Sequence, residues 1–310
     1  MSNIVISGSG LFIPPHTVSN DELIQAYNAY VEKFNAENAA AIEAGDVEAL
    51  PTSSSEFVEK ASGIKSRYVM YKEGMLDPER MAPTFKPALA GDEPETVTMA
   101  IAAGREAMEQ ANKKPEDIDL VIMGTTNHQR PYPSAAVEVQ QKLGIKGFAY
   151  DMGIACSTMT FAMINAFTAL KAGTAKCVLV VNPEFASPQV NLKSRDSHFI
   201  FGDVATAVVM ELEDTCTADY AFRVLDTKQM TTFSDNIRCD GNYTDHSFSD
   251  DQLPEDRPYF RQNGRKVFKE LLPLVTGFIS EQLVENKLEA SDLKLSLIHI
   301  SEPTRQAEIS

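Results

Sequence analysis

The chain has 310 residues, of which 43% are hydrophobic, and its formal net charge at pH 7 is −16. The length and the apolar content predict one large core or two domains of ordinary size, and they exclude a disordered chain. The negative charge disfavours sequence-independent binding to phosphates, so no nucleic-acid partner is expected. The longest apolar runs, such as residues 177–183, fall well short of the roughly 18 residues that cross a bilayer, so no membrane span is expected.

The N-terminus and the cysteines indicate a reducing compartment. Residues 1–12 lack the basic segment, apolar stretch and cleavage site of a secretory signal, and they predict a first strand. The cysteines form no CxxC pair, so neither disulfides nor a metal site are expected at Cys156, Cys177, Cys216 and Cys239. We therefore expect a cytoplasmic protein.

Strand-like and helix-like segments alternate along the first half of the chain. The segments are strands at 4–8, 120–126 and 148–152 and helices at 95–112 and 134–143. This alternation predicts an α/β fold, with a mostly parallel sheet covered by helices on both faces.

Three segments near the N-terminus are predicted to lie around this core. Asn20 is expected to cap a helix, and the alanine-rich stretch 35–55 predicts a helical insertion. Four prolines in residues 73–95 predict a surface loop without regular structure.

Cys156 follows a predicted strand and precedes a predicted helix. Gly153 permits a tight turn, and apolar residues then recur at helical spacing from Ser157 to Lys171. The unpaired N–H groups at such a helix start favour a thiolate and can donate to an oxyanion. The pattern fits an acyl-accepting nucleophile, and a buried structural cysteine is the alternative. The other three cysteines are predicted to be structural.

Two further patterns bear on the fold. Residues 103–124 and 276–297 each contain an amphipathic helix, an Asn-Lys break, an acidic turn and an apolar strand, which indicates either a duplicated fold or a common βα pattern. The SGSG sequence at 7–10 suggests a dinucleotide site, but it lacks the third glycine, and Pro14 and Pro15 stand where a helix would begin. A nucleotide-binding redox protein is therefore disfavoured.

Six segments resemble the β-ketoacyl-acyl-carrier-protein synthase III family of the thiolase superfamily, in the family's order and spacing. They are residues 6–15, 62–68, 125–136, 151–158, 199–209 and 263–273. The resemblance implies a thiolase-like α/β fold of duplicated αβαβα layers. It assigns residues 1–215 to an N-terminal half with the nucleophilic cysteine, and residues 216–294 to an incomplete C-terminal half.

The resemblance also implies an activity. Cys156 would take an acyl group from acyl-CoA, and malonyl-acyl-carrier protein would then lose CO2 and attack the acyl thioester, in fatty acid biosynthesis. No cofactor is implied, and the expected partners are acyl-carrier protein and a second copy of the chain in a homodimer. The insertion at 35–55 resembles the β-ketodecanoyl synthase branch, which implies an octanoyl primer. A related acyltransferase of polyketide or quinolone-type synthesis and an inactive acyl-binding fragment are the alternatives.

Five binding positions follow from the resemblance. Tyr132 matches a dimer-contact residue that reaches the partner's acyl pocket. Gly264 and Phe268 match the pantetheine tunnel, and Lys269 matches the carrier-protein docking surface; without the family they indicate a helix start, a core aromatic and a solvated lysine. Phe57 stands where many members carry a tryptophan that stacks on the adenine of CoA, and the neighbouring arginine position is Ala61, which puts adenine contacts in doubt.

The last residues depart from the family. Instead of the family's His-Gln-Ala-Asn turn and its asparagine, the chain has residues 295–310, which resemble translated adapter sequence. We expect the junction between the family-like sequence and this tail at Leu295 or Ser296. His299 falls at the position of the family's histidine, and we expect this match to be a coincidence. Such a chain is expected to be poorly soluble or inactive for condensation. None of the remaining histidines is expected to replace the missing one. His128, His198 and His246 are expected to lie at the surface or to support the site, and His16 is expected to lie in a turn.

Overall fold

A computed structural model describes residues 2–86, 89, 91–241, 245–247 and 257–293. The predicted junction, His299 and the tail 295–310 lie outside these residues, as do the side chain of His246 and most of the strand that would close the second repeat. The domain boundaries at 215 and 294 stay predictions.

The strands form one central sheet and two small ribbons. They are β1 (Ile4–Phe12), β2 (His16–Ser19), β3 (Ser66–Val69), β4 (Leu120–Gly124), β5 (Phe148–Met152), β6 (Cys177–Phe185), β7 (Asp203–Leu212), β8 (Phe222–Arg223), β9 (Ile237–Arg238) and β10 (Arg261–Gln262). The central sheet has the order β5-β4-β6-β7-β1-β8, and β2 pairs with β3 and β9 with β10.

The central sheet is mixed. The prediction of a mostly parallel sheet is therefore wrong. Strand β4 pairs in parallel with β5 and with β6, whereas β7 runs antiparallel to both β6 and β1, and β8 runs antiparallel to β1. The connection from Phe185 to Asp203 contains no α-helix that would carry the chain back along the sheet, so β7 returns in the opposite direction.

Helices cover both faces of this sheet, as predicted. The helices are α1 (Asn20–Glu37), α2 (Ala39–Ala44), α3 (Ser55–Ser62), α4 (Glu95–Gln110), α5 (Ala135–Leu143), α6 (Thr158–Ala172) and α7 (Gly264–Glu285). On one face, Ala103 of α4 packs in a core with Val121 and Leu179. On the other face, Ala162 of α6 packs in a core with Ile122 and Val180. No helix in the described ranges is both long enough and apolar enough to span a membrane.

Glycines let α4 lie directly on β1. A Cβ atom on Gly8 would overlap the carbonyl oxygen of Ala107, and one on Gly10 would overlap that of Ala103. Gln110 of the same helix accepts hydrogen bonds from the backbone N–H (3.2 Å) and the hydroxyl (3.1 Å) of Ser9. The SGSG sequence therefore serves packing between a helix and a strand.

The predicted cap of α1 is wrong by one residue. The Ser19 hydroxyl accepts a hydrogen bond from the backbone N–H of Glu22, whose carboxylate in turn accepts from the Ser19 N–H. Asn20 instead donates to the carbonyl of Ile64 and accepts from the buried guanidinium of Arg67. Tertiary contacts thus use Asn20 to tie α1 to β3, and the serine before it caps the helix.

The predicted insertion is helical only in its first part. Helix α1 continues to Glu37 and α2 ends at Ala44, where Gly45 adopts a left-handed φ of 79°. Residues 46–54 contain no helix, and Pro51 lies among them.

The proline-rich loop contains no helix or strand in its described residues before α4 begins at Glu95, as predicted. It is nevertheless fixed to the core, because Met75 and Met81 are buried. The ring of Phe85 also stacks on Tyr71, with 5.4 Å between the ring centroids.

Helix α7 has no buried residue, and it exposes Phe268, Leu271 and Leu272. Between α6 and α7 lies a mainly apolar cavity of about 550 Å³, lined among others by Met163 and Ile279. The described part of the chain after residue 216 thus packs less closely than the part before it.

Candidate active site

Cys156 lies in the turn between the end of β5 at Met152 and the start of α6 at Thr158, as predicted, and its side chain is exposed. Ala155, directly before it, has a φ of 48°. A left-handed backbone costs a residue with a Cβ about 1–2 kcal/mol. The turn therefore holds the cysteine at the start of the helix in a conformation that needs support from its surroundings.

Thr158 supplies part of that support. Its hydroxyl accepts a hydrogen bond from the backbone N–H of Ile154 at 2.8 Å and donates one to the carbonyl of Ala155 at 2.6 Å. The expected helix start at Ser157 is shifted by one residue, and the Ser157 side chain makes no capping bond. The buried threonine therefore closes the turn that carries Cys156.

Two N–H groups in the first turn of α6 are available to a ligand. The backbone N–H of Thr158 donates to the carbonyl of Ala155, and that of Phe161 donates to Ser157. The N–H groups of Met159 and Thr160 have no acceptor in the part of the chain that the structure describes. Unpaired donors at a helix start are suited to bind a developing oxyanion.

Glycines allow this turn to lie close to the sheet. A Cβ atom on Gly124, the last residue of β4, would lie 2.7 Å from Cγ2 of Thr158. A Cβ atom on Gly153 would lie 2.9 Å from the carbonyl oxygen of Thr125. Side chains at these two positions would push the cysteine turn away from β4.

A half-buried acid, Glu184 of β6, holds the neighbouring segment. The carboxylate of Glu184 accepts hydrogen bonds from Asn127 at 2.6 Å, Asn182 at 3.0 Å and Thr125 at 3.2 Å. Burial raises the pKa of Glu184, while these three hydrogen bonds oppose the rise. Asn182 also donates to the carbonyl of Gly124, so the network reaches the strand end against which Thr158 packs.

The other cysteines differ from Cys156 in their surroundings. Burial raises the pKa of Cys177 to about 12, and the negative charge of Glu211 adds to the rise. Cys177 is therefore a neutral core thiol at physiological pH. Cys216 is half-buried, and Cys239 is exposed and donates a hydrogen bond to the carbonyl of Pro258.

Phe57 lies on α3, and the guanidinium beside its ring comes from a residue that is distant in the sequence. The guanidinium of Arg195 lies over the Phe57 ring, 4.0 Å from the centroid, and its Nε donates to the carbonyl of Thr52. Position 61, where the resemblance places an arginine, is an exposed alanine. The structure thus pairs the aromatic with an arginine from the segment after β6.

The remaining predicted positions belong to other elements than the cysteine turn. Tyr132 is 85% exposed, and Gly264, Phe268 and Lys269 lie in the first two turns of α7, where Phe268 is 64% exposed. The interpretation of Phe268 as a core aromatic is therefore wrong in this structure. Within the described ranges, no hydrogen bond or ring contact joins Cys156 to any predicted binding residue.

His198 lies in the core. It is fully buried, and its ring meets the edge of Tyr27 with 4.6 Å between centroids. Burial lowers the pKa of His198 to about 4, and the charges of Arg67 and Arg195 lower it further. The expectation of a surface or site-supporting histidine is wrong here, because this imidazole packs as a neutral core ring.

Thr158, Gly124, Glu184 and Arg195 were not identified from the sequence. A glycine directly after four apolar strand residues is a signal for close packing, and it could have pointed to Gly124. No sequence signal links Arg195 to Phe57, because the two are far apart in the chain.

Known proteins resemble this chain over most of its length. A family model described as 3-oxoacyl-[acyl-carrier-protein (ACP)] synthase III matches residues 150–232, which include the cysteine turn. A β-ketodecanoyl-[acyl-carrier-protein] synthase from Pseudomonas aeruginosa is 44% identical over 277 residues, which cover 89% of this chain and 79% of the relative. A β-ketoacyl-[acyl-carrier-protein] synthase III from Brucella anthropi is 31% identical over 257 residues, with 82% and 71% covered.

A solved structure has the same fold. The crystal structure of 3-oxoacyl-[acyl-carrier-protein] synthase III from Aquifex aeolicus VF5 matches with a TM-score of 0.59 and 25% identity, covering 86% of this chain and 66% of that one. The predicted thiolase-like α/β fold class is confirmed. Together with the identity to the curated relatives, this shows that the chain belongs to the 3-oxoacyl-[acyl-carrier-protein] synthase III family.

Proposed function

We propose that Cys156 is the acyl-accepting nucleophile of a β-ketoacyl-acyl-carrier-protein synthase. The observation that carries the proposal is the exposed thiol on a strained turn at the start of α6, in a chain of this family. The thiolate attacks the thioester carbonyl of acyl-CoA, and the N–H groups of Met159 and Thr160 stabilise the oxyanion. The carbon–sulfur bond to CoA then breaks, the CoA thiolate leaves and takes up a proton, and the acyl group stays on Cys156.

In the family, a second stage forms the new carbon–carbon bond with the help of a histidine and an asparagine, which none of the described residues is expected to replace. Malonyl-acyl-carrier protein loses CO2, and the electron pair of the broken bond becomes an enolate. The enolate carbon attacks the acyl thioester on Cys156, and the cysteine thiolate leaves. The product is a β-ketoacyl-acyl-carrier protein, and no redox cofactor takes part in this balance.

The primer is proposed to be octanoyl. The relative from P. aeruginosa is named for a β-ketodecanoyl product. Malonyl contributes two carbons after decarboxylation, so a ten-carbon product requires an eight-carbon primer. The proposed pathway is fatty acid biosynthesis.

Phe57 and Arg195 are proposed to bind the adenine of acyl-CoA. The guanidinium of Arg195 lies over the phenyl ring, 4.0 Å from its centroid, and this pair of planar groups is suited to stack on a purine. Arg195 thus supplies the positive charge that position 61 lacks.

Contacts with two proteins are proposed. Lys269 would contact acyl-carrier protein, and Gly264 and Phe268, which lie beside it at the start of α7, would line the tunnel for its pantetheine arm. Tyr132, whose ring is almost fully exposed, would contact a second copy of the chain in a homodimer. The proposed location is the cytoplasm.

The release of free CoA tests the first stage. The chain is mixed with octanoyl-CoA or acetyl-CoA, and the free thiol is followed over the first turnover. We expect one equivalent of CoA per chain, faster with octanoyl-CoA, and none from Cys156→Ala. Absence of release from the unaltered chain would contradict the function, and equal rates for the two primers would contradict the octanoyl assignment alone.

A further inference from the structure

The hydroxyl of Thr158 connects the two residues that precede Cys156. It accepts from the N–H of Ile154 and donates to the carbonyl of Ala155, at 2.8 Å and 2.6 Å. Thr158 is 1% exposed, so solvent water does not replace these bonds. Ala155 is the residue with the left-handed φ of 48°. The hydroxyl therefore forms hydrogen bonds with the backbone just before and just after the strained φ of Ala155, and this backbone sets the orientation of Cys156.

A threonine is suited to this task in two ways. A hydroxyl donates and accepts at the same time, which the two opposite backbone groups require. The methyl group packs against the space left by Gly124 at the end of β4, so the side chain cannot rotate freely, and a β-branched residue in a helix has few alternative rotamers. The hydroxyl is thus fixed by the sheet.

We propose that Thr158 is a positioning residue that sets the orientation of the Cys156 thiol for attack on the thioester. It does not touch the substrate. It acts through the backbone of Ile154 and Ala155. The end of β4, against which Thr158 packs, is itself held in place, because Asn182 donates hydrogen bonds to the carbonyl of Gly124 and to Glu184. The proposal deepens the proposed function and rests on it for the identity of the electrophile.

Three variants separate the hydroxyl from the rest of the side chain. Thr158→Val and Thr158→Ala both remove the hydroxyl, and they differ in size. Thr158→Ser keeps the hydroxyl and loses only the methyl. Thr168→Val is the matched control, because the Thr168 hydroxyl donates to the carbonyl of Ile164 on an exposed part of the same helix.

The first measurement is the acylation of Cys156 by octanoyl-CoA in a single turnover, as a function of octanoyl-CoA concentration. We expect both variants without the hydroxyl to lower the maximal rate roughly 10- to 100-fold, with little change in the half-saturating concentration, because geometry and not binding is lost. We expect Thr158→Ser and Thr168→Val to stay within roughly threefold of the unaltered chain. A Ser variant as slow as the Ala variant would overturn the proposal, as would a Val or Ala variant at the unaltered rate.

The second measurement is the alkylation of Cys156 by iodoacetamide at one pH, normalised to the alkylation of exposed Cys239 in the same sample. This ratio needs no acyl-CoA, so it still tests the role of Thr158 if the unaltered chain does not acylate and the proposed function fails. We expect the ratio to change in the Val and Ala variants and to be restored by serine. A variant that does not fold loses the difference between the two thiols and is recognised by its circular dichroism. The Ala and Ser variants, which add no atoms, then decide. An unchanged ratio in the Ala variant, or a Ser variant whose ratio differs as far as that of the Ala variant, would refute the proposal.

Discussion

Gly124 at the end of β4 lies against Thr158 at the start of α6, and a Cβ atom on Gly124 would sit 2.7 Å from Cγ2 of the threonine. We expect Gly124→Ala to lower the free energy of unfolding by about 1–3 kcal/mol, because the added methyl displaces the helix start. Thr158→Ser removes Cγ2 and keeps the hydroxyl. The double variant should therefore regain most of the loss.

Urea denaturation of the unaltered chain, the two single variants and the double variant gives the coupling energy between the two positions. Gly173→Ala serves as a control, because no atom lies within 4 Å of a Cβ there and its cost comes from the φ of 73° alone. Additive effects of Gly124→Ala and Thr158→Ser would refute the packing relationship.

His198 should make the stability of the protein depend on pH. Its pKa is lowered from 6.5 to about 4 by burial, so the folded chain keeps this ring neutral where the unfolded chain binds a proton. The stabilising contribution is fully present above pH 6.5 and is lost as the pH falls to about 4. The loss amounts to at most about 3 kcal/mol.

His198→Phe keeps a ring against Tyr27 and removes the titration. The difference in unfolding free energy between the unaltered chain and this variant, measured at pH 7.5 and at pH 4.5, isolates the effect. Glu184 and Asp203, whose pKa values are raised by burial, titrate in both proteins and cancel. If the difference in unfolding free energy between the two proteins is the same at both pH values, the pKa of His198 is not lowered by folding.

Gly10 and Gly277 should respond in opposite directions to the same substitution. A Cβ atom on Gly10 would overlap the carbonyl oxygen of Ala103, and neither the strand nor the helix can move without breaking the core, so Gly10→Ala should cost about 3 kcal/mol or more. Gly277 lies exposed in α7 with no atom within 4 Å of its Cβ position. There alanine should add about 0.5–1 kcal/mol through helix propensity. Thermal unfolding of the two variants gives both signs, and a tolerated Gly10→Ala would contradict the close packing of α4 on β1.

Phe57→Ala should weaken the use of acyl-CoA without slowing the chemistry. Loss of the stacked ring should raise the half-saturating concentration roughly 5- to 30-fold and leave the maximal acylation rate nearly unchanged. Phe233→Ala is the matched control, because that ring is 93% exposed. If Phe57→Ala instead lowers the maximal rate at an unchanged half-saturating concentration, the ring does not bind the nucleotide.

The α/β class and the position of Cys156 could be predicted because both depend on local patterns. Apolar runs of strand and helix length mark β4, β5 and α6, and a glycine followed by the cysteine marks the turn between them. The family resemblance added the reaction. The signals for these features lie in residues that are close together in the sequence, so they do not depend on contacts between distant parts of the chain.

The features that were missed depend on contacts between distant parts of the chain. Asn20 was expected to cap α1, but Arg67 of β3 binds its side chain and Ser19 caps the helix. Strand β7 runs antiparallel to β6 because the connection from Phe185 to Asp203 contains no α-helix. The pairing of Arg195 with Phe57 joins segments that only the folded core brings together.

The location of the acyl group on the chain tests the central claim most directly. Cys156 and Cys239 are both exposed, so accessibility alone would label both. After incubation with octanoyl-CoA and proteolysis, mass spectrometry should find one octanoyl mass on the peptide that contains Cys156, none on that of Cys239, and none in Cys156→Ala. An octanoyl group shared equally by the two cysteines, or absent from both, would contradict the assignment of Cys156 as the nucleophile.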